Sequence, residues 1–173
     1  MATAEAIAIP IRKSQPSSRV IFTEGGKGGV GKTAFTSMLV EWYAKHNTPH
    51  TLLDLDTENK ARGSLAHYFP QARKVDIHTS EGLDSFVDVL DEDTPIVIAD
   101  MGAGAGAVAH RWFDSMFSSV EEIGVAFITI GVITPDPASV ESVLVADIGF
   151  VMERDYVTLF TVVLLAVPRR GSL

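Results

Sequence analysis

The chain contains no cysteine among its 173 residues. Disulfides and thiolate metal sites are therefore excluded, and the composition suits a reducing compartment, so we expect a cytoplasmic protein. Long apolar runs are also lacking. The longest, VTLFTVVLLAV at 157–167, is shorter than the roughly 20 apolar residues that a membrane-spanning helix needs. Its many β-branched residues favour a buried strand instead.

Positive charge is scarce as well. The 14 Lys and Arg residues are outnumbered by 22 Asp and Glu, which gives a formal net charge of -8 at pH 7. A protein that grips DNA over its whole surface is usually basic, so any DNA binding here would need a local basic patch. The five histidines lack the spacing of a zinc site. No Ser/His/Asp or Cys/His arrangement indicates covalent catalysis.

The first 18 residues contain Pro10, Pro16 and a Ser pair, but no basic stretch ahead of an apolar one. They are predicted to form a flexible arm rather than a secretory signal. Residues 19–173 are predicted to form one domain. Its strands are expected at 19–24, 51–56, 95–100, 124–134 and 156–168, with a weak edge strand at 74–79. Helices are expected at 33–46, 81–93 and 135–155, a glycine turn that becomes a helix at 102–117, and a short helix or ordered loop at 59–69.

This alternation of nearly continuous apolar strands with helices predicts an α/β fold with a doubly wound, mainly parallel sheet. Pro137 is expected in the first turn of its helix. Trp42 and Tyr43 are expected to pack at the end of the first helix. Ligands of such sheets bind beyond the carboxyl ends of the strands, so residues that follow different strands should converge there.

One of these strand ends is rich in glycine. The segment GGKGGVGKT satisfies the pattern G-x-x-x-x-G-K-[ST] between a predicted strand and a predicted helix. Glycine lets backbone N–H groups approach an anion closely, and the N-terminus of the helix adds partial positive charge. The motif predicts a phosphate-binding loop, in which the lysine reaches the phosphates and the threonine hydroxyl binds Mg²⁺. Its residues are Gly26, Lys27, Gly28, Gly29, Val30, Gly31, Lys32 and Thr33.

Carboxylates follow two other predicted strands. Asp54 and Asp56 stand at i and i+2, which places both on one side of a strand that continues through them. Asp100 ends the strand PIVIAD, directly before a second glycine-rich segment. The three strand ends are expected to meet at one edge of the sheet, where the carboxylates would face the phosphates.

A second lysine makes the glycine loop more specific. KGGVGKT, with Lys27 and Lys32, resembles the deviant Walker A motif of the ParA/MinD ATPases in the CobQ/CobB/MinD/ParA superfamily. DLDTEN is similar to the family's D-x-D-P-Q segment, and IVIADMGAGAG to its Walker B strand and second switch. The resemblance implies a P-loop NTPase fold, ATP rather than GTP, and a nucleotide-dependent homodimer. In that dimer Lys27 would cross the interface to the partner's nucleotide.

The same resemblance implies roles for the acidic residues. Asp56 would orient or activate the attacking water, Asp100 would hold Mg²⁺ through water, and Asp54 would support the Mg²⁺ shell. Gly102 and Gly104 would let the second switch sense the γ-phosphate. The chain departs from the family where Thr57 and Glu58 replace the usual Pro and Gln.

The resemblance extends over 19–167, and the last helix, strand and C-terminal helix of the family are expected to be lacking. So are the amphipathic membrane helix of MinD-type proteins and the basic C-terminal surface that many ParA proteins use on DNA. The compact size also resembles TraL/StbB-type proteins of mobile plasmids. The resemblance therefore implies a slow ATPase switch with a protein partner, serving plasmid or chromosome partition, or plasmid transfer and maintenance. Two alternatives stay open: an ATP-sensing binding module with little turnover, and a small-molecule ATP-dependent enzyme of the same superfamily.

Overall fold

The structure, a computed structural model, describes residues 17–25, 28–57, 63–102, 124–143 and 163–164. Its strands are β1 (Ser18–Glu24), β2 (Thr51–Asp54), β3 (Arg73–Lys74), β4 (Ile96–Asp100), β5 (Val125–Ile133) and β6 (Val163–Leu164). Its helices are α1 (Lys32–Lys45), α2 (Leu65–Tyr68) and α3 (Ser80–Asp91). Residues 137–143 are also helical, which confirms that Pro137 lies in the first turn of its helix, although the helix begins two residues later than predicted. The arm predicted at 1–18 lies almost wholly outside the described residues, as do the helix predicted at 102–117 and most of the strand predicted at 156–168.

The strands form one sheet in the order β3-β2-β4-β1-β5-β6, and each of these neighbouring pairs is parallel. The predicted α/β fold with a parallel sheet is therefore confirmed. Strand β1 lies in the interior, between β4 and β5, although β2 is the next strand along the chain. This order places the carboxyl ends of β2, β4 and β1 side by side.

Helices cover both faces of the sheet. Because side chains alternate along a strand, Val20 and Phe22 of β1 pack on the α3 face while Ile21 packs on the α1 face. On the α3 face, the ring of Phe22 stacks on Phe86 and Phe127, with centroids 6.1 and 5.9 Å apart. Burying each such side chain contributes about 1.5–3 kcal/mol. The two apolar layers explain why the strands read as continuous apolar runs.

Helix α3 is fixed at its start by Thr79. The hydroxyl of Thr79 accepts a hydrogen bond from the backbone N–H of Gly82 at 3.1 Å, which satisfies a donor of the first turn. A Cβ on Gly82 would lie 1.9 Å from the carbonyl oxygen of Asp76, so only glycine fits there. The helix then buries Phe86, Val89 and Leu90 against the sheet.

The structure corrects two expectations. The strand predicted at 74–79 is wrong beyond Lys74, because Asp76 forms a turn: its carboxylate accepts from His78 N at 3.0 Å and its carbonyl from Thr79 N at 3.1 Å. Strand β2 ends at Asp54, two residues earlier than predicted. Trp42 packs at the end of α1 as predicted: its ring stacks on His46 with centroids 4.1 Å apart and meets Tyr43 edge-on at 5.0 Å, while 52% of the residue stays exposed.

Candidate functional site

The glycine loop joins β1 to α1 at the carboxyl edge of the sheet. Gly29 and Gly31 have φ angles of 75° and 103°, which L side chains rarely adopt. Gly31 is the N-cap of α1, no side chain caps it, and no acidic residue lies in the first turn. No acidic residue of the first turn itself therefore offsets the partial positive charge of this helix end. Gly26 and Lys27 lie outside the described residues.

Lys32 is buried at the base of this loop. Its side chain is 8% exposed, and its ammonium donates a hydrogen bond to the carbonyl oxygen of Gly25 at 3.0 Å. Lysine is rarely buried to this extent, because its charge must be compensated. Gly25 is held tightly in turn: a Cβ there would lie 3.1 Å from the carbonyl oxygen of Val132. The side chain of Lys32, the first residue of α1, therefore reaches back to the end of β1.

Thr33 and Asp100 meet across the site. The hydroxyl of Thr33 donates a hydrogen bond to Oδ2 of Asp100 at 2.6 Å, which joins the first turn of α1 to the last residue of β4. Asp100 is fully buried. The predicted convergence of the glycine loop with this strand end is thus confirmed. A short hydrogen bond of this kind, to a charged acceptor, is roughly twice as strong as one between neutral groups.

Two further hydroxyls, which the sequence analysis missed, contact the other oxygen of Asp100. Thr23 of β1 and Thr36 of α1 each lie 2.9 Å from Oδ1, and their hydroxyls lie 2.8 Å from each other. Thr23 pairs with Asp100 in the parallel register, so the two side chains leave the sheet on the same face. No local pattern in the sequence marks either threonine as a partner of Asp100, because the contacts depend on how β1, β4 and α1 pack together.

The electrostatics of Asp100 reflect this enclosure. Burial raises the pKa of Asp100 above its ordinary value, and the nearby charge of Asp54 raises it further. The hydrogen bonds from Thr33, Thr23 and Thr36 oppose this and lower the pKa, without cancelling the effect of burial. A cation placed at this carboxylate would stabilise its ionised form.

Asp54 is committed to structural contacts. Its Oδ1 accepts from the backbone N–H of Asp56 at 3.1 Å, and its Oδ2 accepts from Ala66 N at 2.9 Å. Lys74 Nζ lies 3.6 Å from Oδ2. The bond to Asp56 N explains why β2 stops here, since the side chain forms an Asx turn. Asp54 therefore ties β2 to α2 and β3, a role that the sequence did not reveal; its part in a Mg²⁺ shell stays a prediction.

Asp56 lies beyond the end of β2, so the prediction that both carboxylates lie on one strand is wrong. The side chain of Asp56 is buried and packs against Gly102. A Cβ on Gly102 would lie 2.9 Å from Oδ1 of Asp56. The segments that follow β2 and β4 thus touch at this point, and only a glycine leaves room for the carboxylate. Glu58 and Gly104 lie outside the described residues.

The donor set at Thr33 and Asp100 fits Mg²⁺. Both residues offer oxygen atoms, and Mg²⁺ is usually held by one or two protein oxygens together with phosphates and waters. Within the described ranges, no group of three or more His, Cys, Asp or Glu could hold a metal ion by itself. A site that relied on protein ligands alone is therefore not built in this part of the chain, whereas one completed by phosphate oxygens is compatible with it.

Neither a protein-family model nor a curated protein matches the chain. What the fold and the site define is an α/β protein with a parallel sheet and a glycine loop at the carboxyl edge of that sheet. None of the described helices has the length and apolar character needed to cross a membrane.

Proposed function

We propose that the chain is a P-loop ATPase of the ParA/MinD type that binds Mg-ATP, dimerises and hydrolyses ATP slowly as a molecular switch. The observation that carries the proposal is the 2.6 Å hydrogen bond from Thr33 to the buried Asp100, beside the buried Lys32. A motif match alone could be a glycine turn. A turn of that kind does not require a buried lysine, or a buried carboxylate from a strand 67 residues away.

The residues of the loop divide the work of binding. Backbone N–H groups of the loop and of the first turn of α1 bind phosphate oxygens, helped by the uncapped helix end. Lys32 exchanges its contact with the Gly25 carbonyl for the β- and γ-phosphates. Thr33 and Asp100 would hold Mg²⁺. When bound, Mg²⁺ neutralises negative charge that develops on the phosphates.

Asp56 would orient the attacking water. Its backbone is fixed by Asp54 and its carboxylate is held against Gly102, so the contact couples the segments after β2 and β4. Lys27 from the second subunit would stabilise the transferred charge, as an arginine finger does, so hydrolysis would depend on dimer formation. Thr57 stands where the family has Pro, so the backbone of this segment is less restricted, which is consistent with a slow switch.

The process that such a switch serves follows from the resemblance. We place it in plasmid or chromosome partition, or in plasmid transfer and maintenance, in the cytoplasm and with a protein partner. The net charge of -8 does not favour DNA binding by the whole surface. A DNA-bound state would therefore depend on a local basic patch or on the partner.

The first experiment is equilibrium binding of a fluorescent ATP analogue with and without Mg²⁺. Wild type should bind with Mg²⁺, and Lys32→Ala should lose binding by tenfold or more, since one charge-assisted contact to phosphate contributes about 1.5–3 kcal/mol. Lys45→Ala, at the exposed end of the same helix, is the matched control and should bind as wild type does. Equal binding by all three proteins would contradict a phosphate site at Lys32.

The second experiment tests the switch. The molar mass of Asp56→Ala, which should bind ATP without turnover, is measured with Mg-ATP and with Mg-ADP. Asp56→Ala is expected to be a dimer with ATP alone. In the otherwise wild-type chain, Lys27→Ala should then slow steady hydrolysis. A monomer with both nucleotides would refute the dimer cycle and favour the ATP-sensing module. ATP consumption that a small metabolite strongly accelerates would instead favour the small-molecule enzyme.

A further inference from the structure

We propose that Thr23 and Thr36 are positioning residues for the metal: together they lock the Asp100 carboxylate so that Oδ2 faces Thr33. This inference rests on the proposed function, because it concerns how the same site binds Mg²⁺. It adds two residues that lie outside the glycine-loop motif and that contact no phosphate in the scheme above.

The contacts divide the carboxylate into two halves. Oδ1 lies 2.9 Å from the hydroxyls of both Thr23 and Thr36, whereas Oδ2 lies 2.6 Å from the hydroxyl of Thr33. Rotating the carboxylate about its last side-chain bond would lengthen all three contacts at once. The arrangement therefore defines which oxygen is turned toward the glycine loop.

The proton inventory supports this division. An ionised carboxylate only accepts, and each threonine hydroxyl has one proton to donate. Thr36 also lies 3.0 Å from the carbonyl oxygen of Lys32, a neutral acceptor that competes less well than a carboxylate. Oδ1 can thus receive at least one of the two protons, and the other is directed to Oδ1 or to the neighbouring hydroxyl, whose oxygen lies 2.8 Å away. Thr33 can give its proton to Oδ2 while its lone pairs remain available to a metal.

The burial of the two threonines shows that their hydroxyls have a specific use. Both side chains are 0% exposed, one within an apolar strand and the other on the inner face of α1. Valine has the same shape and would bury no polar atom, and threonine is a weaker helix former than most residues. In these positions the hydroxyls are favourable because they have buried acceptors: Asp100 Oδ1 for both threonines, and also the carbonyl oxygen of Lys32 for Thr36.

The two threonines also link the elements that the site joins. Thr23 is on β1, Thr36 is on α1, and Asp100 is on β4. The carboxylate is therefore hydrogen-bonded both to the strand before the glycine loop and to the helix after it. A movement of α1 relative to β4 would therefore turn the metal ligand. Partners that fix a metal-binding carboxylate typically contribute 10- to 100-fold to metal affinity.

The test measures Mg²⁺ dependence separately from nucleotide affinity. A fluorescent ATP analogue is titrated at a series of Mg²⁺ concentrations and also in EDTA. Thr36→Val and Thr23→Val should each raise the Mg²⁺ concentration for half-maximal response about tenfold or more. Affinity in EDTA should stay unchanged, and Thr36→Ser and Thr23→Ser should restore the Mg²⁺ response, because serine returns the hydroxyl.

Thr129→Val is the matched control. Thr129 is a buried threonine of β5 that pairs with Phe22, so its side chain leaves the sheet on the face opposite Asp100. It should show the wild-type Mg²⁺ response. If a valine variant does not fold, as judged by circular dichroism, the alanine variant at the same position replaces it and must show the same loss.

The outcomes separate the inference from the proposed function. Wild type that binds no nucleotide would overturn the proposed function and the inference with it. Wild type that responds to Mg²⁺, with valine variants that respond identically, would overturn the inference alone. Equal loss of affinity with Mg²⁺ and in EDTA would also overturn it, because that pattern indicates general damage to the loop.

Discussion

Asp54 and Asp100 face each other in register on the adjacent parallel strands β2 and β4, and both side chains are fully buried. Two buried carboxylates so placed would destabilise the fold if neither had partners. They are compensated differently. Asp54 accepts two backbone N–H groups beside Lys74, whereas the carboxylate of Asp100 has three hydroxyls. Asp54 is thus built into the framework, whereas the hydroxyl partners of Asp100 are compatible with the proposed Mg²⁺ site.

The raised pKa of Asp100 predicts that Asp100→Asn increases the stability of the fold in a pH-dependent way. The folded state holds the proton of this carboxyl more tightly than the unfolded state does. The contribution of this carboxyl to stability is therefore complete below the pKa that it has in the unfolded state. It is lost as pH rises through the pKa that it has in the folded state. In EDTA, the asparagine variant should have a higher free energy of unfolding than wild type at neutral pH. Urea denaturation should show this gap closing toward about pH 4.

The asparagine amide keeps the hydrogen-bonding scheme, which makes this comparison sharp. Its oxygen can accept from Thr23 and Thr36, and its nitrogen can donate to Thr33. The difference between the two proteins therefore reports on the carboxylate of Asp100. An asparagine variant that is less stable than wild type at every pH would contradict the prediction.

Asp54→Asn should destabilise the fold by roughly 1–3 kcal/mol, because an amide offers one acceptor oxygen where the carboxylate offers two. Either Asp56 N or Ala66 N then loses its partner. Asp88→Asn, on the exposed face of α3, provides the control and should stay within about 0.5 kcal/mol of wild type. Equal unfolding free energies for the two variants would show that the buried contacts of Asp54 are dispensable.

Gly102→Ala should destabilise the fold by about 1–3 kcal/mol, because the added methyl would meet Oδ1 of Asp56 at 2.9 Å. The same change in an Asp56→Ala background should cost at least about 1 kcal/mol less, since most of the clash is then gone. Urea denaturation of the four proteins completes the cycle. Additive effects of the two substitutions on the free energy of unfolding would mean that residues 56 and 102 do not interact.

Thr79→Ala should cost about 1 kcal/mol, because the first turn of α3 loses the hydroxyl that accepts from Gly82 N. Thr79→Ser keeps the hydroxyl and should remain close to wild type. The readout is the free energy of unfolding for the three proteins. A serine variant as unstable as the alanine variant would assign the effect to the lost methyl group instead of the cap.

Much of the sheet could be predicted because β1, β4 and β5 are buried on both faces and thus read as continuous apolar runs. The prediction failed where side chains bond to the backbone. Asp54 and Asp76 each accept from the N–H two residues on, which ends β2 early and replaces most of the predicted edge strand with a turn. Competition between such side-chain hydrogen bonds and the sheet is hard to recognise in a sequence, because aspartate is also common at ordinary strand ends.

The site was predictable only in part. A local motif identifies Lys32 and Thr33, and a strand end identifies Asp100. Nothing local indicates that Thr23 lies against a residue 77 positions later, because that contact depends on the strand order. Threonine is a common strand residue, so its hydroxyl gives no signal until its neighbours are known.

The interior place of β1 has a consequence for synthesis of the protein. Its strand neighbours begin at Ile96 and Val125, so the first strand leaves the ribosome long before either of them exists. At about 5–20 residues per second, the 77 residues from Thr23 to Asp100 take roughly 4–15 s to be made. For that time both edges of an apolar strand lack their final neighbours. Chaperone dependence of the nascent chain, and aggregation of fragments that end before β4, are the expected results.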